Sequence, residues 1–398
     1  MNLRYILLLA VFLIMLPLST VYSEINFWSD LPDDKLTDEL LASMNDEQKL
    51  AQLMLFGYMG GVPSREILDW IENKEIGGVK IFGWNVGSLP QLTKSISKMQ
   101  QEGQTTKFKI PLFMVTDQEG GWVHHIHKGT TETSGNMSLT ASNRPEDSFK
   151  AGYYIGTEMR TLGINVNFAP TVDVYSNPNA HVIGPRAFSD DPEVTSLLSI
   201  AFFKGMDKTG VICTAKHYPG HGDADKDSHG ALPIIKADLD TLWDRDLLPY
   251  RYLVKEDLPA IMSGHLAFPS ITGDETPASL SDFFLEDLLR DRIGFKGLVI
   301  TDDIMMNGVQ LLPINTAEIA KAAIMAGNDI VLVSRTAKLQ KKVWIYLTAE
   351  LKSDPAFKKR VEESAERVIK TKLKYLKPET AVPLYPDPSI VKNGVPDD

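Results

Sequence analysis

The 398 residues carry 52 acidic against 41 basic side chains, a formal charge of −11, with 43% hydrophobic residues and no low-complexity region. That composition excludes a disordered chain, and the lack of a Lys/Arg cluster interleaved with aromatics argues against nucleic acid as a partner. Cys213 is the only cysteine, so no intramolecular disulfide can form, and its place in an apolar run points to a buried structural thiol.

The chain begins with Arg4, an apolar stretch at 6–18 and the small-residue end Val21-Tyr22-Ser23. This is the pattern of a signal peptide, with cleavage expected after Ser23. The apolar stretch falls short of the roughly 20 residues that a spanning helix needs, although an uncleaved anchor is the alternative. An exported protein is expected, periplasmic or secreted from a bacterium, with no stable membrane insertion once the segment is removed.

A polar stretch of helical flavour covers 26–46, and Asp46-Glu47-Gln48 opens a helix. Eight short apolar runs follow, at 52–57, 78–83, 111–116, 164–168, 211–215, 259–264, 297–302 and 329–334. Between them 90–101, 148–162, 191–209, 239–255 and 315–326 show helical periodicity. Eight strands alternating with helices predict an α/β fold of the (β/α)8 TIM-barrel type over 24–376, closed by helices at 337–351 and 356–376. A doubly wound open sheet is the rival on pattern alone. The Pro-rich tail, 377–398, has no periodicity and is expected to be extended or loosely held.

Polar residues gather at the ends of these runs: Asp117, then Asn167 and Asp173, then His265, and finally Thr301-Asp302-Asp303. The C-terminal rim of a barrel is where catalysis takes place. After the fifth run comes Lys216-His217-Tyr218-Pro219-Gly220-His221-Gly222 and, further on, Asp227-Ser228-His229, a segment with eight Lys, His or Asp residues in fourteen. Its glycines and proline predict a loop. His217, His221, Asp223 and His229 could be taken for a zinc set, but Pro219 and Gly220 keep His217 and His221 from lying one helical turn apart. No metal or organic cofactor is expected.

These residues carry a resemblance. The KHYPGHG…DSH segment is similar to the signature of family 3 glycoside hydrolases of the β-N-acetylglucosaminidase (NagZ-like) branch. So are Asp117-Gln118-Glu119-Gly120-Gly121, Asn167-Phe168-Ala169-Pro170 with Asp173, Gly184-Pro185-Arg186-Ala187-Phe188-Ser189 and the run 297–303. The resemblance implies a retaining glycosidase, with Asp302 as nucleophile and a His229/Asp227 dyad as acid/base. It also implies that Asp117, Arg186, Lys216 and His217 bond sugar hydroxyls. Asp303 is expected to point away, because neighbouring strand residues face opposite sides. The sandwich domain of many family members is not expected within this length.

One departure stands out. The family segment usually continues D-Q-E-G-G-R-V-x-R, whereas here Trp122 and His125 occupy the arginine positions. His125 is expected to take over sugar binding with less charge, and Trp122 to offer an aromatic face. The expected activity is that of an exo-β-N-acetylglucosaminidase (β-N-acetylhexosaminidase) releasing terminal GlcNAc from muropeptides or chitin-type oligosaccharides, in peptidoglycan turnover, as a monomer. A β-glucosidase or β-glycoside phosphorylase is the alternative within the family. A catalytically weak sugar-binding barrel is the alternative of another class.

Overall fold

The computed structural model describes residues 24–395 other than Asp225, His229 and Arg335. The expected signal peptide therefore lies outside the described residues, and so does His229. Among the described residues no helix is long and apolar enough to cross a membrane.

All eight expected strands form: β1 (Met54–Gly57), β2 (Gly78–Lys80), β3 (Phe113–Thr116), β4 (Val166–Asn167), β5 (Ile212–Tyr218), β6 (Ala260–Ser263), β7 (Leu298–Thr301) and β8 (Val331–Val333). They run parallel in the order β8-β1-β2-β3-β4-β5-β6-β7. A parallel bridge pairs Ile300 with Ile330, and the Thr301 N–H donates to the Ile330 carbonyl at 3.0 Å. These contacts join β7 to β8 and close the sheet into a (β/α)8 barrel, which rules out the open sheet. Every residue of the eight strands is buried, because side chains fill the inside of a barrel while helices cover its outside. That is why the strands read as unbroken apolar runs.

The helices start where capping side chains supply the orphan N–H groups with acceptors. Asp191 accepts from the Glu193 and Val194 N–H groups ahead of Pro192–Asp207, and Asn315 forms a capping box ahead of Thr316–Ala326. Helix Arg65–Lys74, capped by Ser64, and the wide-turn helix Phe283–Ile293 were not expected from the periodicity. The expected single helix over 239–255 is instead broken into Leu239–Thr241, a wide turn Leu242–Asp246 and Leu248–Lys255. Pro249 sets the break, since it cannot donate the bond that a continuous helix would require.

Two further expectations are corrected. The segment from Lys216 does not start as a loop: β5 runs on to Tyr218, all seven of its residues buried. The polar heads of Lys216 and His217 find carboxylate partners inside the barrel mouth, so polarity does not end the strand there. Among its described residues the C-terminal tail has no helix, as its prolines predict, but it is anchored. Val382 and Val391 are buried, Arg160 donates to the Thr380 carbonyl at 2.6 Å, and the Val395 N–H donates to the Gly129 carbonyl at 2.8 Å.

Helices Pro145–Leu162 and Pro192–Asp207 meet through a reciprocal pair of glycines. A β-carbon on Gly152 would lie 2.1 Å from the Phe202 carbonyl oxygen, and one on Gly205 would lie 2.0 Å from that of Phe149. Backbone atoms cannot yield as a side-chain tip can. Gly205→Ala is therefore expected to cost about 2–3 kcal/mol, read from the denaturant midpoint, as these helices are forced apart. An unchanged midpoint would show that the contact tolerates separation.

Candidate functional site

The strand ends surround a cleft of about 620 Å³ at the C-terminal rim. Lys80 comes from the end of β2, Asp117 from just past β3, and Lys216 and His217 from the last turn of β5; Asp302 and Asp303 follow β7. Beyond β3 the chain folds back as a small antiparallel hairpin, Gln118–Gly120 against Val123–His124, which carries Glu119 down into the cleft and brings His125 beside it. Asn167 fixes that exit, accepting from the Gln118 N–H and donating to the Gln118 carbonyl, both at 2.9 Å.

Five charged side chains form one buried cluster. Lys216 Nζ lies 2.6 Å from Asp117 Oδ1 and 2.6 Å from Glu119 Oε1. Lys80 donates to the other oxygen of Asp117. Arg186 makes a two-pronged contact with Glu119, Nε to Oε2 at 2.9 Å and Nη2 to Oε1 at 2.8 Å. Burial drives both carboxyls up, but the cations more than offset it: Glu119 is held to about 2 by Arg186 and Lys216, and Asp117 is held well below its usual range by Lys216 and Lys80. Both acids are ionised across the working pH range of most proteins.

His217 is oriented by Asp173. Its Nδ1–H donates to Asp173 Oδ2 at 2.7 Å, which leaves Nε2 as an acceptor facing Arg186 Nη2 at 3.3 Å. Asp173 also accepts from the His221 N–H at 2.7 Å, and it sits at about 2 because His217 and His221 outweigh its burial.

Across the cleft, Asp302 accepts from the Asp303 N–H at 2.7 Å. Burial raises its carboxyl, yet His265 and His217 hold it below the ordinary value, so it stays ionised. His265 is itself fixed between Ser279 Oγ at 2.8 Å and the Asp303 carbonyl at 3.1 Å. Asp303 borders the cleft too, contrary to the alternation argument, because β7 ends at Thr301 and strand geometry no longer governs the next two residues. Its carboxylate is turned to the N–H groups of Met305 and Ser334, at 3.1 and 3.3 Å, and burial raises it. A buried acid engaged in that way is not free to attack a substrate.

The structure thus brings six of the eight expected site residues, Asp117, His125, Arg186, Lys216, His217 and Asp302, around one cleft. Asp227 is exposed and off the cleft wall, next to Ser228, which does line it, while His229 lies outside the described residues. Trp122 is 71% exposed and is not part of the lining; the aromatic wall is Phe82 stacked on Trp84, with ring centroids 4.3 Å apart. The residues that the sequence reading missed are Lys80, Glu119, the Phe82/Trp84 pair and Met305–Asn307. Lys80 had a signal, being a charge inside the apolar run of β2. His221 also lines the cleft, and its Nδ1 is buried without a partner among the described residues.

Both neutral histidines bear on stability. Burial lowers His125 and His221 from 6.5 to about 4, so the unfolded chain holds their protons more tightly than the folded one. Their contribution is present above about 6.5 and is lost as pH falls toward 4. Glu119 and Asp173 act in the same direction further down, while Asp246, pushed up by burial to about 7, acts in the opposite one. In His221→Gln the drop in Tm between pH 7 and pH 5 should shrink by about 2–4 °C relative to the parent. Identical slopes would mean that His221 keeps an ordinary proton affinity in the fold.

Residues 46–371 match the glycosyl hydrolase family 3 N terminal domain. The chain is 36% identical over 283 residues to beta-hexosaminidase A of Pseudoalteromonas piscicida, covering 67% of this chain and 47% of that protein. It is 32% identical over 287 residues to the beta-hexosaminidase of Xylella fastidiosa, covering 71% and 83%. The match thus spans about half the length of the first relative and most of the second. Among solved structures, a glycoside hydrolase family 3 beta-N-acetylglucosaminidase from a Paenibacillus species superposes with a TM-score of 0.80 at 34% identity, covering 83% of this chain and 63% of that one. With its barrel closed and the rim motifs gathered in one cleft, the chain belongs to glycosyl hydrolase family 3 and to the branch from which these relatives come.

Proposed function

We propose that the protein is a retaining exo-β-N-acetylglucosaminidase that releases terminal GlcNAc from muropeptides or chitin-type oligosaccharides. The observation that carries this reading is Asp302, an ionised carboxylate just past the end of β7 that faces a cleft whose other wall holds charged and polar donors and acceptors. The names of the relatives supply the N-acetylated sugar. The cleft volume suits one or two sugar units, since small-ligand pockets run from about 300 to 1,000 Å³.

In this scheme Lys216, Arg186, His217 and Asp117 bind the hydroxyls of the terminal sugar and place its anomeric carbon over Asp302. Asp302 attacks that carbon, forming a C–O bond as the bond to the leaving oxygen breaks. The His229 imidazolium, held by Asp227, gives its proton to the departing oxygen. Water then attacks the anomeric carbon, the neutral imidazole takes a proton from it, and Asp302 is released as carboxylate. The glycines of this segment would let the dyad move over bound sugar. The leader-like segment before Ser23 supports export to the periplasm or medium, where peptidoglycan fragments are met.

The decisive assay is nitrophenol release from the β-N-acetylglucosaminide and the β-glucoside, with NMR of the first-formed anomer. The acetylated substrate should turn over and yield β-GlcNAc first, and Asp302→Asn should lose on the order of 10⁴-fold in kcat. Asp227→Ala should lose about 10²–10⁴-fold in kcat with little change in KM. An α-anomer as first product would rule out the Asp302 intermediate, and sugar 1-phosphate in phosphate buffer would move the reading to phosphorolysis.

A further inference from the structure

Lys80 is a buried cation with an unusual address. It is 1% exposed, projects from the end of β2 into the cleft, and sits 4.8 Å from the Phe82 ring centroid and 5.2 Å from that of Phe168. Its ammonium shares one carboxylate with a second lysine, since Lys80 holds Asp117 Oδ2 while Lys216 holds Oδ1 at 2.6 Å. Lys216 and Arg186 already pair with Asp117 and Glu119, so Lys80 is a third cation on the same two carboxylates.

His125 does not account for that charge. It lies 3.8 Å from the same Asp117 oxygen, but burial and the nearby Lys80 keep it neutral. Trp122, at the other position where the family segment has an arginine, is exposed and not part of the cleft lining. The cationic character absent from the hairpin is therefore restored from the neighbouring strand. Among the described residues Lys80 bonds only Asp117 and, at 3.4 Å, the Ile81 carbonyl, whereas an ammonium has three protons to give.

We propose that Lys80 is a substrate-binding residue, donating to a hydroxyl oxygen of the terminal sugar alongside Asp117. This rests on the glycosidase reading, in which Asp117 faces that sugar. It sets a division between a charged donor from β2 and a neutral imidazole at His125. It also gives the lysine inside an apolar strand a use.

The test is binding of free GlcNAc by calorimetry together with kcat/KM on the nitrophenyl glycoside, for the parent, Lys80→Met and Lys80→Met/His125→Arg. Lys80→Met keeps the Lys216–Asp117 pair and should retain its Tm; if it does not fold, Lys80→Gln takes its place. Loss of one charge-assisted hydrogen bond should weaken GlcNAc binding and kcat/KM by roughly 10- to 100-fold, acting through KM more than kcat. The double variant should regain much of this, because an arginine at 125 reaches the same carboxylate. On 3-, 4- and 6-deoxy glycosides the penalty of Lys80→Met should vanish for one of the three. Equal binding by Lys80→Met and parent, or an equal penalty on all three deoxy sugars, overturns the assignment while leaving the hydrolase reading intact. If the parent neither binds GlcNAc nor cleaves any glycoside, both readings fall together.

Discussion

The ammonium of Lys216 is the interaction on which the rest of the site depends. It stands 2.6 Å from both Asp117 and Glu119, side chains that leave the barrel just beyond β3, while Lys216 itself is on β5. Two carboxylates this close repel one another, and burial makes the repulsion severe. The lysine resolves it by bridging them, and in doing so fixes the hairpin after β3 against β5. Arg186 then finds Glu119 already placed, and His217 finds Arg186. Removing the bridge would leave buried charge uncompensated, a loss larger than that of any one hydrogen bond.

The same logic operates at the opposite end of the barrel with no bearing on chemistry. Asp329, fully buried at the entry to β8, accepts from Arg290 at 2.7 Å, Arg367 at 3.1 Å and the Val299 N–H at 2.9 Å. Its contacts span the seam between β7 and β8, where the strand pairing is thinnest. An acid held by several arginines and a backbone donor is closed to ligands. At the other rim the acids share lysines that line the cleft. One charge cluster is closed under the barrel and the other borders the cleft, which separates stability from function in this fold.

The barrel was legible because its strands are buried on both faces and its helices are capped by residues that have little other use. Eight apolar runs and their spacing are one-dimensional signals. The cluster at the rim is a different matter. Lys80 and Glu119 lie 39 residues apart in the chain and 97 residues separate Glu119 from Lys216, so only the closed barrel shows that the three share one carboxylate network. The end of β5 failed for a related reason: polarity marks a strand end only where no buried partner exists, and Lys216 and His217 have theirs in Asp117 and Asp173. The residues after β7 show the converse error. Alternation was applied to Asp303 beyond Thr301, where the strand no longer enforces it.

The departures at Trp122 and His125 were visible as changes, but their consequence was not. Read along the chain, an arginine replaced by histidine suggests weaker charge at that position and nothing elsewhere. Electrostatics in a buried cleft are set by the sum over all groups within a few ångströms, whichever strand supplies them. A lysine on β2 can carry what a hairpin residue has given up, provided that both reach Asp117. Burial lowers the proton affinity of His125, and the charge of Lys80 beside it lowers it further. Lys80 and the neutral His125 are thus one solution to a single charge balance, in which neither residue is understandable alone.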